Sequence, residues 1–232
     1  MDERSEFLSG VRAQLPILVG VIPFGFIYGT LGTQLQLPAL TTQAMSLIMF
    51  GGSAQFIALP LIADAAPGII ILLTVSVVNL RHMLYSASVA PYLQHLPRRW
   101  KLLLAYLLTD EAYAVAIAHY QTPEGARPKP WFFLGTSLIL WVCWQLSTAV
   151  GVYIGGQVPA SWSLDFALPL TFTALVIPML KDRAYVVAAL VAGGVGVLTI
   201  GLPYKLGLTL AALLGIAAGM AIKSNRQILV ED

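Results

Sequence analysis

The 232-residue sequence predicts an all-α protein: a polytopic transmembrane helical bundle of seven or eight segments, some kinked or discontinuous, forming one integral-membrane domain over 1–232. Hydrophobic residues make up 58% of the chain, charged residues only 10%, and the mean hydropathy is +0.80. Soluble domains carry roughly 25% charged residues, so lipid is the expected surrounding. No charged residue occurs between Arg12 and Asp64, which leaves room for two membrane passes.

The composition also excludes several classes of protein. A composition suited to lipid excludes most soluble enzymes and nucleic-acid-binding proteins. The net charge of +2 is also too small to indicate a polyanionic partner. Cys143 is the single cysteine, so an intrachain disulfide or a multi-cysteine metal site is excluded. Three dispersed histidines do not form a metal site, and we therefore expect no metal or cofactor.

Apolar stretches give eight candidate helices, at 14–34, 44–62, 67–92, 102–120, 132–155, 165–180, 184–201 and 204–222. Inside a membrane these segments should be helical, because the edge strands of an open sheet would leave backbone N–H and C=O groups without hydrogen-bond partners in the hydrocarbon. With eight passes, the distribution of Lys and Arg favours cytoplasmic termini. In this arrangement the basic cluster at 98–101 would lie outside the cell, against the preference of Lys and Arg for cytoplasmic loops. It leaves open that 67–92 or 102–120 is re-entrant, or that 165–180 does not cross and the chain has seven passes.

The first segment contains Pro23, Gly25 and Gly29 at membrane depth. Proline removes a backbone donor, and glycines four residues apart suit a close helix contact. One interpretation is a kinked, tightly packed helix. The other, which we predict, is a discontinuous helix, interrupted near Gly25, whose freed backbone groups face a cavity shared with a break near Gly51 and Gly52.

The second segment contains Gly51, Gly52, Ser53 and Gln55. Each glycine weakens a helix by roughly 1 kcal/mol relative to alanine. A break here would expose backbone N–H groups at a half-helix N-terminus, which suits a carboxylate. Packing of small residues in an intact helix is the alternative.

The third segment, 67–92, contains four polar residues near its middle, Asn79, Arg81, His82 and Tyr85. An arginine in an apolar helix costs several kcal/mol unless it is paired or hydrated. Arg81 marks either a functional position inside the membrane or the interfacial end of a short span.

The fourth segment contains two adjacent acids, Asp110 and Glu111, in an otherwise uncharged stretch. Neighbouring helical residues point about 100° apart, so the two acids should have different roles. We expect one of them, with Asp110 as the first candidate, to pair with Arg81, and the other to face a cavity or to titrate. A purely structural Arg81–Asp110 pair is the alternative.

Taken together, these motifs resemble the AzlC family, the large subunit of branched-chain amino acid exporters. The resemblance runs from about residue 10 to about 220 and is carried by Pro23-Phe24-Gly25 with Tyr28-Gly29, Gly51 to Phe56, Asn79 to His82 with Leu84-Tyr85, Thr109 to Glu111 with Tyr113, and Leu164 to Pro169 with Lys181-Asp182-Arg183.

The resemblance implies export of leucine, isoleucine, valine and, in some members, methionine across the bacterial inner membrane. It also implies a small hydrophobic AzlD-like partner subunit and an ion gradient as the energy source. The chain has no phosphate-binding loop of the Gly-x-x-x-x-Gly-Lys-Ser/Thr type.

An amino-acid substrate would need hydrogen-bond donors for its carboxylate, an acceptor for its ammonium group and an apolar pocket for its side chain, and the sequence offers all three. Substrate-binding candidates are Gly51, Gly52, Ser53, Gln55, Asn79, Arg81 and Tyr85, and candidates for proton or charge coupling are His82, Asp110 and Glu111. Abundant Phe, Leu and Ile would line an apolar pocket. The rival hypotheses are an intramembrane serine hydrolase using Ser53, which lacks the full Gly-x-Ser-x-Gly elbow, and a channel or structural membrane subunit.

Overall fold

A computed structural model of the chain describes residues 2–122, 130–157, 180, 182–202 and 206–231, with side chains described as far as 222. These residues form nine α-helices and no strand, which confirms the all-α class. The helices are α1 Glu3–Gln34, α2 Ala39–Ile48, α3 Gly52–Ala63, α4 Gly68–Leu93, α5 Arg98–Tyr106, α6 Asp110–Tyr120, α7 Pro130–Ile154, α8 Arg183–Leu198 and α9 Leu206–Glu231. The predicted segment 165–180 lies, except for Leu180, outside the described residues.

Three of the described helices are long and apolar enough to cross a membrane: Glu3–Gln34, Gly68–Leu93 and Pro130–Gln157, the last including a short 3-10 turn after α7. Shorter apolar helices occupy Gly52–Ala63, Arg183–Leu198 and Leu206–Ile222. The chain divides into two compact units, Met1–Asp64 with Val75–Pro159 and Ala65–Thr74 with Ala160–Asp232.

The first unit is built on close parallel packing of α1 against α7. A Cβ atom on Gly29 would lie 2.2 Å from the carbonyl oxygen of Thr148, and one on Gly151 would lie 2.2 Å from that of Phe26. Only glycine allows the two backbones to approach this closely. Because Gly29 meets Thr148 and Gly10 meets Phe132, the two helices run in the same direction.

The predicted interruption of the first helix is wrong. Helix α1 is continuous from Glu3 to Gln34, with Pro23 inside it. Pro23 lies on the exposed side, whereas Gly25 and Gly29 are buried against α7. Packing against α7 therefore stabilises the helix across the position where proline removes one hydrogen bond.

The predicted interruption near Gly51 and Gly52 is confirmed, since α2 ends at Ile48 and α3 begins at Gly52. Helix α2 follows α1 after a link of four residues and runs back along it, with the Tyr28 hydroxyl donating to the Thr42 carbonyl at 3.1 Å. Helix α3 then follows the direction of α1. A Cβ on Gly52 would lie 3.6 Å from the Phe24 ring, and Phe56 packs on Tyr28 one turn further.

Segment 102–120 is not one helix, and the prediction of a continuous span there is corrected. It is divided between α5 and α6, with Leu107–Thr109 outside both. Helix α6 runs parallel to α4, because Tyr113 stacks on Tyr85 at 4.6 Å and Tyr120 stacks on Tyr92 at 5.3 Å. Helix α5, which follows α4 after a link of four residues, therefore runs back along α4 before α6 returns.

The end of α6 lies beside the beginning of α1. His119 Nε2 is 3.9 Å from a carboxylate oxygen of Glu6, and its ring stacks on Phe132 at 3.8 Å. Helices α6 and α4 are thus antiparallel to α1. We call the end of the first unit that carries Glu6 the N-side and the end that carries Gln34 the C-side.

Each pair of short helices forms a hairpin that returns to the side from which it starts. Hairpin A, α2 with α3, starts from the C-side and returns toward it, while hairpin B, α5 with α6, enters and leaves at the N-side. Segments 44–62 and 102–120 are therefore not single crossing helices, because each reverses direction at a three-residue break. Re-entry of 102–120 was one of the alternatives that the basic cluster had left open.

The two halves of this unit repeat one arrangement in opposite orientations. Each has a long helix, a four-residue link ending in proline (Pro38 or Pro97), a short helix, a three-residue break and a second short helix. Because α1 and α4 are antiparallel, the repeat has inverted topology, a feature of many secondary transporters.

The second unit contains an antiparallel pair, α8 and α9. A Cβ on Gly215 would lie 2.8 Å from Ala192, and one on Gly207 would lie 2.4 Å from Thr199. Asp182 caps α8 by accepting from the backbone N–H groups of Ala184 and Tyr185. Small residues therefore set the spacing of this pair as well.

Candidate functional site

The breaks of the two hairpins meet at Arg81, near the middle of α4. One guanidinium nitrogen of Arg81 donates to the Asp110 carboxylate, at the start of α6. The other donates to the Ser53 hydroxyl, at the start of α3, at 3.0 Å. The predicted pairing of Arg81 with Asp110 is therefore confirmed, and Arg81 joins the two half-helices.

The two half-helix N-termini differ in charge. Helix α6 is capped by Thr109, whose hydroxyl accepts from the Ala112 N–H at 3.3 Å, and carries Asp110 and Glu111 in its first turn. Helix α3 begins at Gly52 with no side-chain cap and no acid in its first turn. The partial positive charge of a helix N-terminus is thus balanced at α6 and left unbalanced at α3.

Several polar atoms near α3 have unused bonding capacity. Gln55 is fully buried and spans the break by donating to the Met49 carbonyl at 2.6 Å, which leaves its Oε1 unbonded. Asn79 Oδ1, 3.7 Å from the position of a Cβ on Gly51, also has no partner among the described residues. Buried polar atoms of this kind are usually satisfied, so their clustering indicates a place for a polar ligand or for water.

A histidine and a pair of tyrosines flank the ion pair. His82 Nε2 lies 3.9 Å from Asp110 Oδ1. Tyr85 stacks on Tyr113, whose hydroxyl donates to Ser88 at 2.9 Å. These contacts fix the register of α4 against α6 over the turns that follow the ion pair.

The two hairpins also touch directly on the other side of their breaks. The hydroxyl of Tyr106, the last residue of α5, donates to the Leu47 carbonyl near the end of α2 and accepts from Trp141 Nε1. The last carbonyl groups of a helix have no intrahelical donor, so the Tyr106 hydroxyl supplies a partner to a carbonyl at the end of α2. Neither Tyr106 nor Trp141 was singled out from the sequence.

Hairpin A is fixed to α7 by buried hydrogen bonds. Gln43 Nε2 donates to Gln145 Oε1 at 2.9 Å, Gln145 Nε2 donates to the Ser46 carbonyl at 3.0 Å, and Trp144 Nε1 donates to the Ser46 hydroxyl at 2.9 Å. We call these four residues the α2–α7 clamp. A Gln within an apolar segment is a weak signal on its own, which is why the sequence did not indicate the clamp.

The structure brings most of the candidate residues together. We call the group around Arg81 the Arg81 centre; its residues are Gly51, Gly52, Ser53, Gln55, Asn79, Arg81, His82, Tyr85, Asp110 and Glu111. Pro23, Gly25 and Gly29 form no break, and two of them serve the packing of α1 on α7. The break before Asp110 was missed, although Thr109 followed by two acids is a recognised helix start.

Comparison with known proteins gives concordant relatives. The sequence profile described as "AzlC protein" matches residues 16–158. The "Inner membrane protein YgaZ" of Escherichia coli is 29% identical over 221 residues, covering 92% of this chain and 87% of that protein. The "Branched-chain amino acid transport protein AzlC" of Bacillus subtilis is 26% identical over 192 residues, covering 80% and 74% respectively.

An archaeal protein is similar over much the same length. An "Uncharacterized membrane protein" of Archaeoglobus fulgidus is 30% identical over 198 residues, covering 84% of each chain. No solved structure matches this chain. The matched profile spans both hairpins, α4 and α7, and therefore every residue of the Arg81 centre, and on this evidence the chain belongs to the AzlC family.

Proposed function

We propose that this protein is a secondary active exporter of branched-chain amino acids: leucine, isoleucine and valine, with methionine as the next candidate. One observation carries the proposal, namely the meeting of two re-entrant hairpins, entering from opposite ends, at an arginine inside an apolar helix. Inverted repeats with discontinuous helices at the centre are the architecture of many alternating-access transporters. The Bacillus subtilis relative, named as a branched-chain amino acid transport protein, supports the substrate class.

The centre offers complementary groups for a zwitterion. The uncapped start of α3, with the backbone N–H groups of Gly52 and Ser53, suits the substrate carboxylate, and Arg81 adds a positive charge beside it. Asp110 and the free Asn79 oxygen suit the ammonium group. In this proposal the substrate carboxylate competes with Asp110 for the guanidinium, so binding loosens the link between the hairpins.

Coupling to an ion gradient would use the titratable groups of the same centre. His82, Asp110 and Glu111 lie within one turn of Arg81 or of each other, so a proton or a cation binding there changes the charge that the substrate meets. We propose that one acid holds Arg81 while the other exchanges the coupling ion. A small AzlD-like subunit is part of the proposed assembly, and the whole chain, 1–232, is taken as one transporter domain.

The distribution of basic residues supports an N-terminus in the cytoplasm. Apart from Arg81, the Lys and Arg residues of 2–157 all fall at the N-side ends of helices or in the sequence between them: Arg4, Arg12, Arg98, Arg99, Lys101, Arg127 and Lys129. The C-side links 35–38 and 64–67 contain no Lys or Arg. Cytoplasmic segments are rich in these residues, and re-entry of hairpin B removes the exception at 98–101.

Ser53 is poorly arranged for the rival hydrolase function. Its hydroxyl accepts a hydrogen bond from Arg81, which stays protonated and cannot act as a base. A serine nucleophile needs a base such as histidine within hydrogen-bond reach. The bond to Arg81 instead suits a role in binding, and we propose that the protein is not an enzyme.

The experiment follows intracellular leucine in cells loaded with leucine-containing dipeptides, with the neighbouring small membrane subunit co-expressed. Cells with the parent should clear leucine faster than cells with an empty vector and should not clear lysine. Asp110→Asn and Glu111→Gln should abolish clearance or its dependence on the proton gradient. Asp64→Asn, which neutralises an exposed acid at the end of α3, is the matched control and should behave as the parent.

Two results would contradict the proposal. If both centre variants, present at parental levels, cleared leucine at the parental rate, the acids would be structural and the mechanism wrong. If lysine were cleared as readily as leucine, the substrate class would be wrong, because burying an unpaired charge costs far more than misfitting a methyl group.

A further inference from the structure

An apolar cavity lies beside the Arg81 centre, on the hairpin B side. Its volume is about 280 Å³, and its surface is almost entirely carbon. The floor is formed by buried side chains of α4, of α5 and the break after it, and of α7: Val89, Leu93, Leu104, Leu108 and Phe133. Ala90 and Ala105, both small and exposed, complete the wall.

The cavity extends from the break of hairpin B toward the N-side. At one end is Leu108, in the break of hairpin B and two residues before Asp110. At the other end are Gln94 and Lys101, where the lysine ammonium donates to the Gln94 carbonyl at 2.7 Å. A molecule bound at Asp110 would therefore lie near the Leu108 end of this apolar space, on the side where an exported amino acid would enter.

We infer that this cavity receives the aliphatic side chain of the substrate while the zwitterionic head occupies the Arg81–Asp110 centre. The inference rests on the proposed export function and adds to it the residues that set specificity. Leu104, Leu108, Val89 and Phe133 select for an apolar chain, and Ala90 and Ala105 set how large that chain can be.

The chemistry of the cavity fits this occupant. The accessible surface of the cavity is almost entirely apolar, with Gln94 and Lys101 at its N-side end, so its interior binds water poorly and disfavours a charged or amide side chain. A volume of about 280 Å³ is near the lower end of small-molecule sites, which run from about 300 to 1,000 Å³. It accommodates a branched four-carbon chain with space left over, which predicts tolerance of methionine and weak discrimination among leucine, isoleucine and valine.

The test fills the cavity by replacing small residues of its wall with phenylalanine. Ala90→Phe and Ala105→Phe each place a ring in the space, whereas Ala87→Phe adds the same ring to an exposed position of α4 that does not line it. Purified protein, together with its small subunit, is reconstituted in liposomes. Transport of labelled leucine, valine and alanine is measured at several concentrations to separate KM from the maximal rate.

We expect the KM for leucine to rise about tenfold or more in the two cavity variants, since each poorly fitted methylene costs about 10- to 200-fold in discrimination. Valine should be affected less than leucine, alanine least of all, and Ala87→Phe should match the parent. Unchanged KM values in both cavity variants would overturn the inference, as expected if a lipid chain occupies the space. An equal loss for all three substrates would also overturn it. Absence of leucine transport by the parent would instead refute the export function itself.

Discussion

Arg81 and Asp110 should be energetically coupled, and a double-mutant cycle measures that coupling. The cycle compares Arg81→Gln, Asp110→Asn and the double variant. Each single change leaves one charge without its partner, whereas the double variant leaves neither. Loss of the Arg81–Ser53 bond occurs in both Arg81 variants and cancels from the coupling term.

The magnitude follows from the geometry and exposure of the pair. Two unit charges about 4 Å apart interact by about 4 kcal/mol at an effective dielectric constant of about 20. The two side chains are 29% and 37% accessible, which reduces the expected coupling to about 1–2 kcal/mol. For a chain of this size about 1 kcal/mol corresponds to about 2–4 °C, so the double variant should melt about 2–8 °C above the additive expectation.

The assay is the apparent melting temperature of each purified variant in detergent or nanodiscs, measured at one heating rate. Arg81→Gln combined with Glu111→Gln serves as the matched cycle, and it should show the smaller coupling because Glu111 does not hold the guanidinium. If the Arg81–Asp110 cycle were additive within about 0.5 kcal/mol, the ion pair would not join the hairpins in the way we describe.

Three further predictions concern the surroundings of the centre. Gly151→Val should lower the apparent melting temperature by several degrees, because a Cβ there would lie 2.2 Å from the Phe26 carbonyl oxygen. Gly20→Val is the control, since a Cβ at Gly20 would have nothing within 4 Å, and it should leave the melting temperature unchanged. Equal effects of the two changes would refute the packing argument. Gln145→Ala should destabilise the α2–α7 clamp by about 1–3 kcal/mol, since it removes the side-chain hydrogen bonds to Gln43 and to the Ser46 carbonyl. An unchanged melting temperature would contradict this. Ser53→Ala should retain much of the leucine clearance, and complete loss of activity at normal expression would favour the hydrolase hypothesis.

The Arg81 centre could be predicted largely from the sequence, because charges are so rare in this chain. Arg81 and Asp110 had no other obvious partners in their own segments, and an unpaired charge at that depth is costly. The break at Gly51 and Gly52 was equally visible, since a glycine pair beside Ser53 weakens the helix locally.

The path of the chain was harder to predict, because hydropathy measures length and polarity but not direction. Leu107 and Leu108 are as apolar as the helix before them, so the break in hairpin B had no hydropathy signal. The informative features were the cap at Thr109 and the basic cluster at Arg98. The cluster agrees with the preference of Lys and Arg for the cytoplasmic side only if segment 102–120 returns to the side from which it entered. At Pro23 the opposite error occurred, because packing of neighbouring glycines against α7 overrides a local helix breaker.

The central claim, that two re-entrant hairpins meet from opposite sides, is tested most directly by the sidedness of four exposed residues. Single cysteines are placed at Gln36, Asp64, Gln94 and Gln121, which flank the two hairpins, in a Cys143→Ser background. A membrane-impermeant thiol reagent is then applied to intact cells and to inverted vesicles. Our account predicts labelling of positions 36 and 64 from outside the cell, and of positions 94 and 121 only from the cytoplasmic face. Labelling of positions 94 and 121 from opposite faces would mean that hairpin B crosses the membrane, and would contradict the account.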